Sequence, residues 1–184
     1  QSQPSRESTL EIVGVADTPN MSFSDASLSL SEGGVLSFAS LVSQADLALN
    51  TSDGNESLWV RFQIPSTTPE GSYVVDPDGL CGVTSLGSGI YEVALSDLDN
   101  LSVQFADFYA TDTSVTVWGV SRQGNSVAES AERFTVPVTF AAVADGVMNL
   151  DVELASEHGA DSRFTEGVTF HVHLHADVKD ANEL

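Results

Sequence analysis

The sequence predicts an all-β protein built as an antiparallel β-sandwich. Apolar and polar residues alternate in short stretches, most regularly at residues 58–64 and 114–120, and this period of two is the pattern of a half-buried strand. Clusters of Gly, Asp, Asn and Pro separate these stretches, and no long amphipathic helix pattern interrupts them. Short strands punctuated by turns are typical of a β-sandwich.

A short motif recurs at the ends of strand-like stretches. Val-Ala-Asp occupies residues 15–17, where it continues into Thr-Pro-Asn, and it returns at residues 143–145. A fainter copy, His-Ala-Asp, occupies residues 175–177. Internal repetition of this kind is typical of abutting modules. We therefore expect the three copies to mark junctions between strand-rich units.

The elements follow one another in a simple order. Residues 1–9 are polar and predict a flexible lead-in. Residues 41–49 have apolar positions at both helical and strand spacing, and we interpret them as a short helix or loop, with a strand as the alternative. Residues 81–89 are too rich in glycine for a packed strand, and residues 122–129 predict a turn. Strands are expected at residues 10–15, 21–24, 28–31, 35–38, 58–64, 73–75, 90–95, 101–105, 114–120 and 134–142.

Two further strands are expected beyond the second junction. Residues 148–154 and 168–174 both alternate regularly. Two strands cannot bury a core by themselves. We therefore predict one enlarged domain over residues 10–184, with a core module at residues 10–145 and added strands within residues 146–177.

The charge of the chain restricts its partners. Six Lys and Arg residues face 27 Asp and Glu residues, so the net charge is −21. Such a chain repels nucleic acids and anionic membrane surfaces, and we expect neither as a partner. The excess charge has two interpretations, which are neutralisation by bound cations and an acidic surface that maintains solubility. No apolar stretch is long enough for a membrane span.

Cys81 is the single cysteine, so no intrachain disulfide can form. We expect it to be a buried thiol. Ser88 lies between two glycines but lacks the rest of a nucleophile elbow, and no Cys–His pair is evident. The sequence therefore predicts no catalytic residues and a protein that is not an enzyme.

Three acidic turns are candidate Ca²⁺ sites. Each places two oxygen-bearing side chains around a tight turn, and oxygen ligands are what Ca²⁺ takes. The alternative is that Asp, Asn and Gly cluster in turns for conformational reasons alone. Without disulfides to stiffen the chain, we favour Ca²⁺ as cofactor. The residues are Asp53 and Glu56, Asp76 and Asp78, and Asp97 and Asp99.

The histidines and one tryptophan offer further binding chemistry. His171, His173 and His175 alternate along a predicted strand and so share one face, as in some Zn²⁺ sites. We favour the alternative of a polar face on an exposed strand, because no cysteine and no clearly placed carboxylate completes a ligand set. Trp59 is out of register with the apolar residues around it. It is therefore expected on the opposite face, where an exposed indole can serve as a platform for a sugar or a peptide side chain.

Five short motifs follow one another along residues 10–145. They are Val-Ala-Asp-Thr-Pro-Asn (15–20), Asp-Gly-x-Glu-Ser-Leu (53–58), Ser-Asp-Leu-x-x-Leu (96–101), Ala-Asp-Phe (106–108) and a closing Phe-Thr-Val-x-Val (134–138) that leads to Val-Ala-Asp. In this order, the motifs resemble the tandem Ig-like or cadherin-like modules of giant bacterial RTX-type adhesins.

The resemblance implies a location and a set of metal ligands. Such modules are secreted by a type I system and form calcium-stiffened fibres on the bacterial cell surface, where they serve adhesion and biofilm formation. The junction Asp and the Asp-Gly-x-Glu turn hold Ca²⁺ near the linkers between modules. By position, the ligands here would be Asp17, Asp53, Glu56 and Asp145, with Glu32 and Asn20 as further candidates.

The chain is longer than a minimal sandwich of about 100 residues, and added loops are where a scaffold acquires ligands. We therefore predict a module that binds a peptide or glycan on a target cell surface. The alternative is a calcium-stiffened extender repeat that binds nothing. We expect contacts with neighbouring modules of the same fibre, no membrane insertion, and a monomer in isolation. The candidate ligand-binding residues are Tyr73, Asp76, Asp78 and Tyr91.

Overall fold

The computed structural model describes residues 14–52, 54–69 and 71–143, together with the backbone of residues 147–155 and 171–178. The chain divides into two compact units, Gln1–Ala142 and Val143–Leu184. The predicted fold class is confirmed, because the described residues form mainly β-strands in several sheets.

Short strands make up most of the first unit. No helix in the part of the chain that the structure describes is long and apolar enough to cross a membrane. The elements are β1 (Asn20–Ser22), β2 (Leu28–Ser31), β3 (Val35–Ser37), α1 (Phe38–Ala45), β4 (Ala48–Asn50), β5 (Ser57–Gln63), β6 (Tyr73–Val75), β7 (Thr84–Gly87), β8 (Ile90–Ala94), a 3₁₀ helix (Leu95–Asn100), β9 (Ser102–Phe105), β10 (Thr113–Gln123), β11 (Ser126–Glu129) and β12 (Phe134–Ala141).

These strands form two main sheets. The larger has seven strands, in the order β2-β12-β10-β5-β8-β7, with β11 also paired to β10. The smaller has the order β3-β9-β6, and β1 and β4 form a separate pair. All pairings in these sheets are antiparallel except that of β12 with β2, which is parallel.

The core is built from alternate residues of both sheets. Val60 and Phe62 of β5 and Val103 and Phe105 of β9 are at most 1% exposed and belong to one buried apolar cluster. Because successive residues of a strand face opposite sides, the same alternation sends Trp59 to the outer face of the larger sheet. The predicted orientation of Trp59 is therefore confirmed.

The helix α1 begins earlier than expected. The predicted strand over residues 35–38 ends at Ser37, whose side chain caps the helix, and Phe38 is the first helical residue. The helix stops at Asp46, which has a left-handed backbone (φ 48°). Residues 41–49 therefore contain the end of α1 and the start of β4. The mixed apolar spacing arises because Leu41 and Ala45 are buried from the helix and Leu49 is buried from the strand.

The prediction of a turn over residues 122–129 was wrong in its extent. β10 continues to Gln123, and β11 begins at Ser126 and pairs with it, so only a two-residue turn with Gly124 at φ +58° remains. β11 has no alternating apolar pattern, and its Val127 is 52% exposed. Backbone pairing holds this strand, and a pattern of side-chain burial cannot reveal it.

The second unit contains two described strands, β13 (Val147–Ala155) and β14 (His171–Val178), which pair antiparallel. Both were predicted, although β14 extends further than expected. Asp177 of the third motif copy lies one residue before the end of β14, opposite Asn149, and the junction at residues 175–177 stays a prediction. The single enlarged domain stays a prediction.

Most of the predicted first strand, residues 10–13, lies outside the described residues, as do residues 168–170. Gly14 and Val15 are described, and they lie in irregular chain before β1.

Gly89 provides a test of the turn between β7 and β8. It has φ +72°, and a Cβ there would lie 2.2 Å from the carbonyl oxygen of Ile64, whereas Gly87 at φ +86° has open space. We predict that Gly89→Ala lowers the free energy of unfolding by about 2–4 kcal/mol, the sum of a left-handed backbone penalty and a backbone clash. Gly87→Ala should lower the free energy of unfolding by only about 1–2 kcal/mol, the left-handed backbone penalty alone. Urea denaturation measures both, and equal losses would contradict the close approach to Ile64.

Candidate functional site

The first junction lies against the Asp-Gly-x-Glu turn. The backbone N–H of Asp17 donates to the Glu56 carboxylate at 3.1 Å, across 39 residues of sequence. The Ser52 hydroxyl donates to the Asp17 carboxylate, and the Ser121 hydroxyl donates to the Asp17 carbonyl. Two of the four expected calcium ligands, Asp17 and Glu56, are therefore brought together by the fold. The other two, Asp53 and Asp145, lie outside the described residues.

The donor set at this place suits a hard cation. The second carboxylate oxygen of Glu56 is buried and has no hydrogen-bond partner among the described residues. An unpaired buried carboxylate oxygen is costly, and a bound cation removes that cost. The described side chains include no group of three Asp, Glu, His or Cys placed to hold a metal. A complete shell would need oxygens beyond those of Asp17, Ser52 and Glu56.

The other expected metal ligands belong to a strand, a turn and the 3₁₀ helix of the first unit. Asn20 is exposed at the start of β1, opposite Asn50 of β4. Glu32 lies in the turn after β2, where its backbone N–H donates to the carbonyl of Ala141. Asp97 and Asp99 both belong to the 3₁₀ helix, where the Asp97 carboxylate accepts from the Ser96 hydroxyl.

Asp76 has a structural role in its turn. It has a left-handed backbone with φ 52°. One carboxylate oxygen accepts from the N–H of Leu80 and the other from the N–H of Cys81, both at 3.1 Å. Asp78 is exposed in the same turn. Each Asp76 carboxylate oxygen thus accepts a hydrogen bond from a backbone N–H. Asp76 therefore stabilises the conformation of this turn, which explains its presence there without a metal ion.

Tyr73 and Tyr91, the two expected ligand-binding aromatics, do lie together. Their hydroxyls are 3.4 Å apart, and their rings meet edge to face at 6.4 Å. Both also pack inward, since Tyr91 stacks on Phe62 and Tyr73 contacts Phe105. Their rings therefore complete the edge of the core, and only part of each remains accessible.

Cys81 is 1% exposed, as predicted for a buried thiol. Burial raises the pKa of this thiol, and the neighbouring Asp76 carboxylate raises it further by charge repulsion and hydrogen bonding. The group therefore stays protonated at neutral pH, and a protonated thiol is neither a nucleophile nor a metal ligand.

The outer face of the larger sheet concentrates positive charge. Arg61, Arg122 and Arg133 are the only Lys or Arg residues in the part of the chain that the structure describes, and all three join one network. Glu92, which is only 2% exposed, accepts from Arg61 at 2.7 Å and from Arg122. Glu129 accepts from Arg133 at 3.2 Å and from Arg61. This network links β5, β8, β10 and β11 across the sheet.

Both tryptophans lie beside this network. The guanidinium of Arg122 sits 4.9 Å from the ring centre of Trp59, and that of Arg133 sits 4.3 Å from the ring centre of Trp118. Trp118 is 2% exposed and so is not available to a ligand. Trp59 is only half-buried, which leaves it as the accessible indole of this face.

Trp59 forms part of a groove that sequence analysis missed. The groove is shallow and open to solvent, has a volume of about 510 Å³ and exposes mainly apolar surface. Its two walls come from distant parts of the chain, and the one sequence signal was the out-of-register position of Trp59. Glu56 belongs both to this groove and to the contact with Asp17. The lining residues are Glu56, Ser57, Leu58, Trp59, Ala94, Leu95 and Ser96.

The chain matches no protein-family model, and no curated protein is significantly similar to it. The resemblance to adhesin modules therefore stays a prediction.

Glu92 tests the outer-face network. We predict that Glu92→Ala lowers the free energy of unfolding by about 3–5 kcal/mol, because it leaves Arg61 and Arg122 without their buried partner. Glu129→Ala is the matched control. The Glu129 side chain is 38% exposed, so this variant should lower the free energy of unfolding by at most about 1 kcal/mol. Urea denaturation of both variants measures the difference, and similar losses would show that Glu92 does not organise this face.

Proposed function

We propose that this chain is a calcium-dependent ligand-binding module of a large bacterial cell-surface adhesin, which mediates attachment to another cell surface and biofilm formation. One observation carries the proposal. The junction residue Asp17 is hydrogen-bonded to Glu56 of the Asp-Gly-x-Glu turn, and these are two of the positions at which the resemblance implies calcium.

The residues around Asp17 are arranged to hold a cation near the junction. Ser52 and Ser121 orient Asp17, and Glu56 has one buried oxygen without a partner among the described residues. When bound, Ca²⁺ would neutralise these carboxylates and fix the junction segment to the turn. In a chain with a net charge of −21, such neutralisation also relieves self-repulsion.

The ligand is a glycan, held in the groove beside Trp59. An indole packs against the apolar face of a sugar ring, and the exposed hydroxyls of Ser57 and Ser96 can accept hydrogen bonds from sugar hydroxyls. An uncharged glycan also avoids the repulsion that an acidic ligand would meet. This groove suits a ligand better than the turn at Asp76, whose carboxylate oxygens are engaged by backbone amides.

Calcium dependence is tested by thermal unfolding. Saturating Ca²⁺ should raise the Tm of the full chain by about 5 °C or more, because it binds the folded state alone. Asp17→Asn and Glu56→Gln should each remove at least half of that increase. Asp25→Asn is the control, since Asp25 is exposed and lies outside the candidate site. No calcium dependence, or an equal loss in the control, would refute the site.

Ligand binding is tested on a glycan array and a peptide array, each with Ca²⁺ and with EDTA. We predict binding to an uncharged glycan that EDTA abolishes, and a loss of at least about tenfold in affinity with Trp59→Ala, because a central aromatic anchor carries much of the binding energy. Leu80→Ala, at a residue that is 75% exposed and outside the groove, should bind normally. Binding of peptides alone would overturn the choice of a glycan, and calcium-dependent melting without any ligand would identify an extender repeat.

A further inference from the structure

The histidine-bearing strand of the second unit has no part in the proposed adhesin function. The pairing of β13 with β14 nevertheless sets its histidines in a specific register. His173 lies opposite Glu153 and His175 lies opposite Asp151, while His171 lies opposite Ala155. The register therefore supplies two acidic residues that the sequence alone did not place beside the histidines.

These positions are close together on the backbone. Directly opposite residues of an antiparallel pair share a face of the sheet and lie about 5 Å apart. Residues two apart along one strand share that face and lie about 7 Å apart. His173, His175, Asp151 and Glu153 thus occupy the corners of a four-residue patch that measures about 5 Å by 7 Å. We refer to it as the His–acid patch.

The composition of the His–acid patch selects a metal class. Imidazole with carboxylate is a ligand set that Zn²⁺ and other divalent transition metals accept, and four such groups match the coordination number of a structural zinc site. Ca²⁺ requires oxygen ligands only. The patch therefore differs in chemistry from the place where Asp17 meets Glu56.

We propose that the His–acid patch is a binding site for a divalent transition metal, with Zn²⁺ as the best match. A metal there would join β13 to β14. A two-stranded sheet is only marginally stable in water, and the binding free energy of a metal adds directly to the stability of a site that exists only in the folded state. The proposal is independent of the calcium-dependent adhesin function and stands or fails without it.

The register also ranks the three histidines. His171 and His175 are four residues apart on one strand, a separation of about 13 Å, so one ion cannot take both. His173 is the neighbour of His175 on the same face of β14, two residues away, and it lies opposite Glu153 of β13. His173 and Glu153 form one opposed pair of the patch, His175 and Asp151 form the other, and His171, which lies opposite Ala155, is outside the patch.

The test is a calorimetric titration of the full chain with Zn²⁺ in the presence of excess Ca²⁺, which occupies oxygen-only sites. We predict one Zn²⁺ bound per chain. His173→Ala and Glu153→Gln should each weaken binding at least tenfold. His171→Ala and His158→Ala are matched controls and should bind as the unaltered chain does, because the former lies on the same strand outside the patch and the latter is the one histidine outside this strand.

Co²⁺ provides a second readout that does not depend on the variants. A four-coordinate nitrogen and oxygen set gives strong visible absorption with Co²⁺, and Zn²⁺ should displace it. Absence of stoichiometric binding, or weak absorption typical of six-coordinate Co²⁺, would overturn the proposal. So would normal binding by Glu153→Gln with loss only in the histidine variants, since that result would assign the metal to the histidine run without the opposite strand.

Discussion

Side-chain alternation across the central strands β5 and β10 is the constraint on which the rest of the first unit depends. It commits one face of the larger sheet to the core, where Val60 and Phe62 are fully buried. The opposite face then receives Arg61, which must find a partner because it is largely covered. Glu92 provides that partner, and its own burial requires Arg122 as well. The apolar core and the charged outer face are thus two results of one pattern.

The scarcity of basic residues gives this arrangement an electrostatic effect. The described arginines are all engaged with Glu92 and Glu129, so they cannot neutralise carboxylates elsewhere on the unit. At the junction, the hydrogen-bond partners of Asp17 and Glu56 among the described residues are serine hydroxyls and a backbone N–H, and the three described arginines are not among them.

Sequence patterns revealed what depends on local burial and missed what depends on pairing. Residues 58–64 and 114–120 were found because one face of each is buried along its length. β11 was missed because backbone hydrogen bonds hold it while its side chains stay largely exposed. The same reason explains why sequence patterns did not predict the groove beside Trp59 or the register that sets His173 opposite Glu153. Both depend on which segments lie side by side.

The parallel pairing of β12 with β2 has a mechanical consequence. β2 lies near the start of the first unit and β12 near its end, and the two strands run in the same direction. Tension applied to the two ends of the unit therefore pulls these neighbours past each other, so their interstrand hydrogen bonds bear the load simultaneously and do not open one by one. Forced unfolding is governed by the unfolding rate. We expect that rate to be lower for strands loaded in shear than for strands that peel apart.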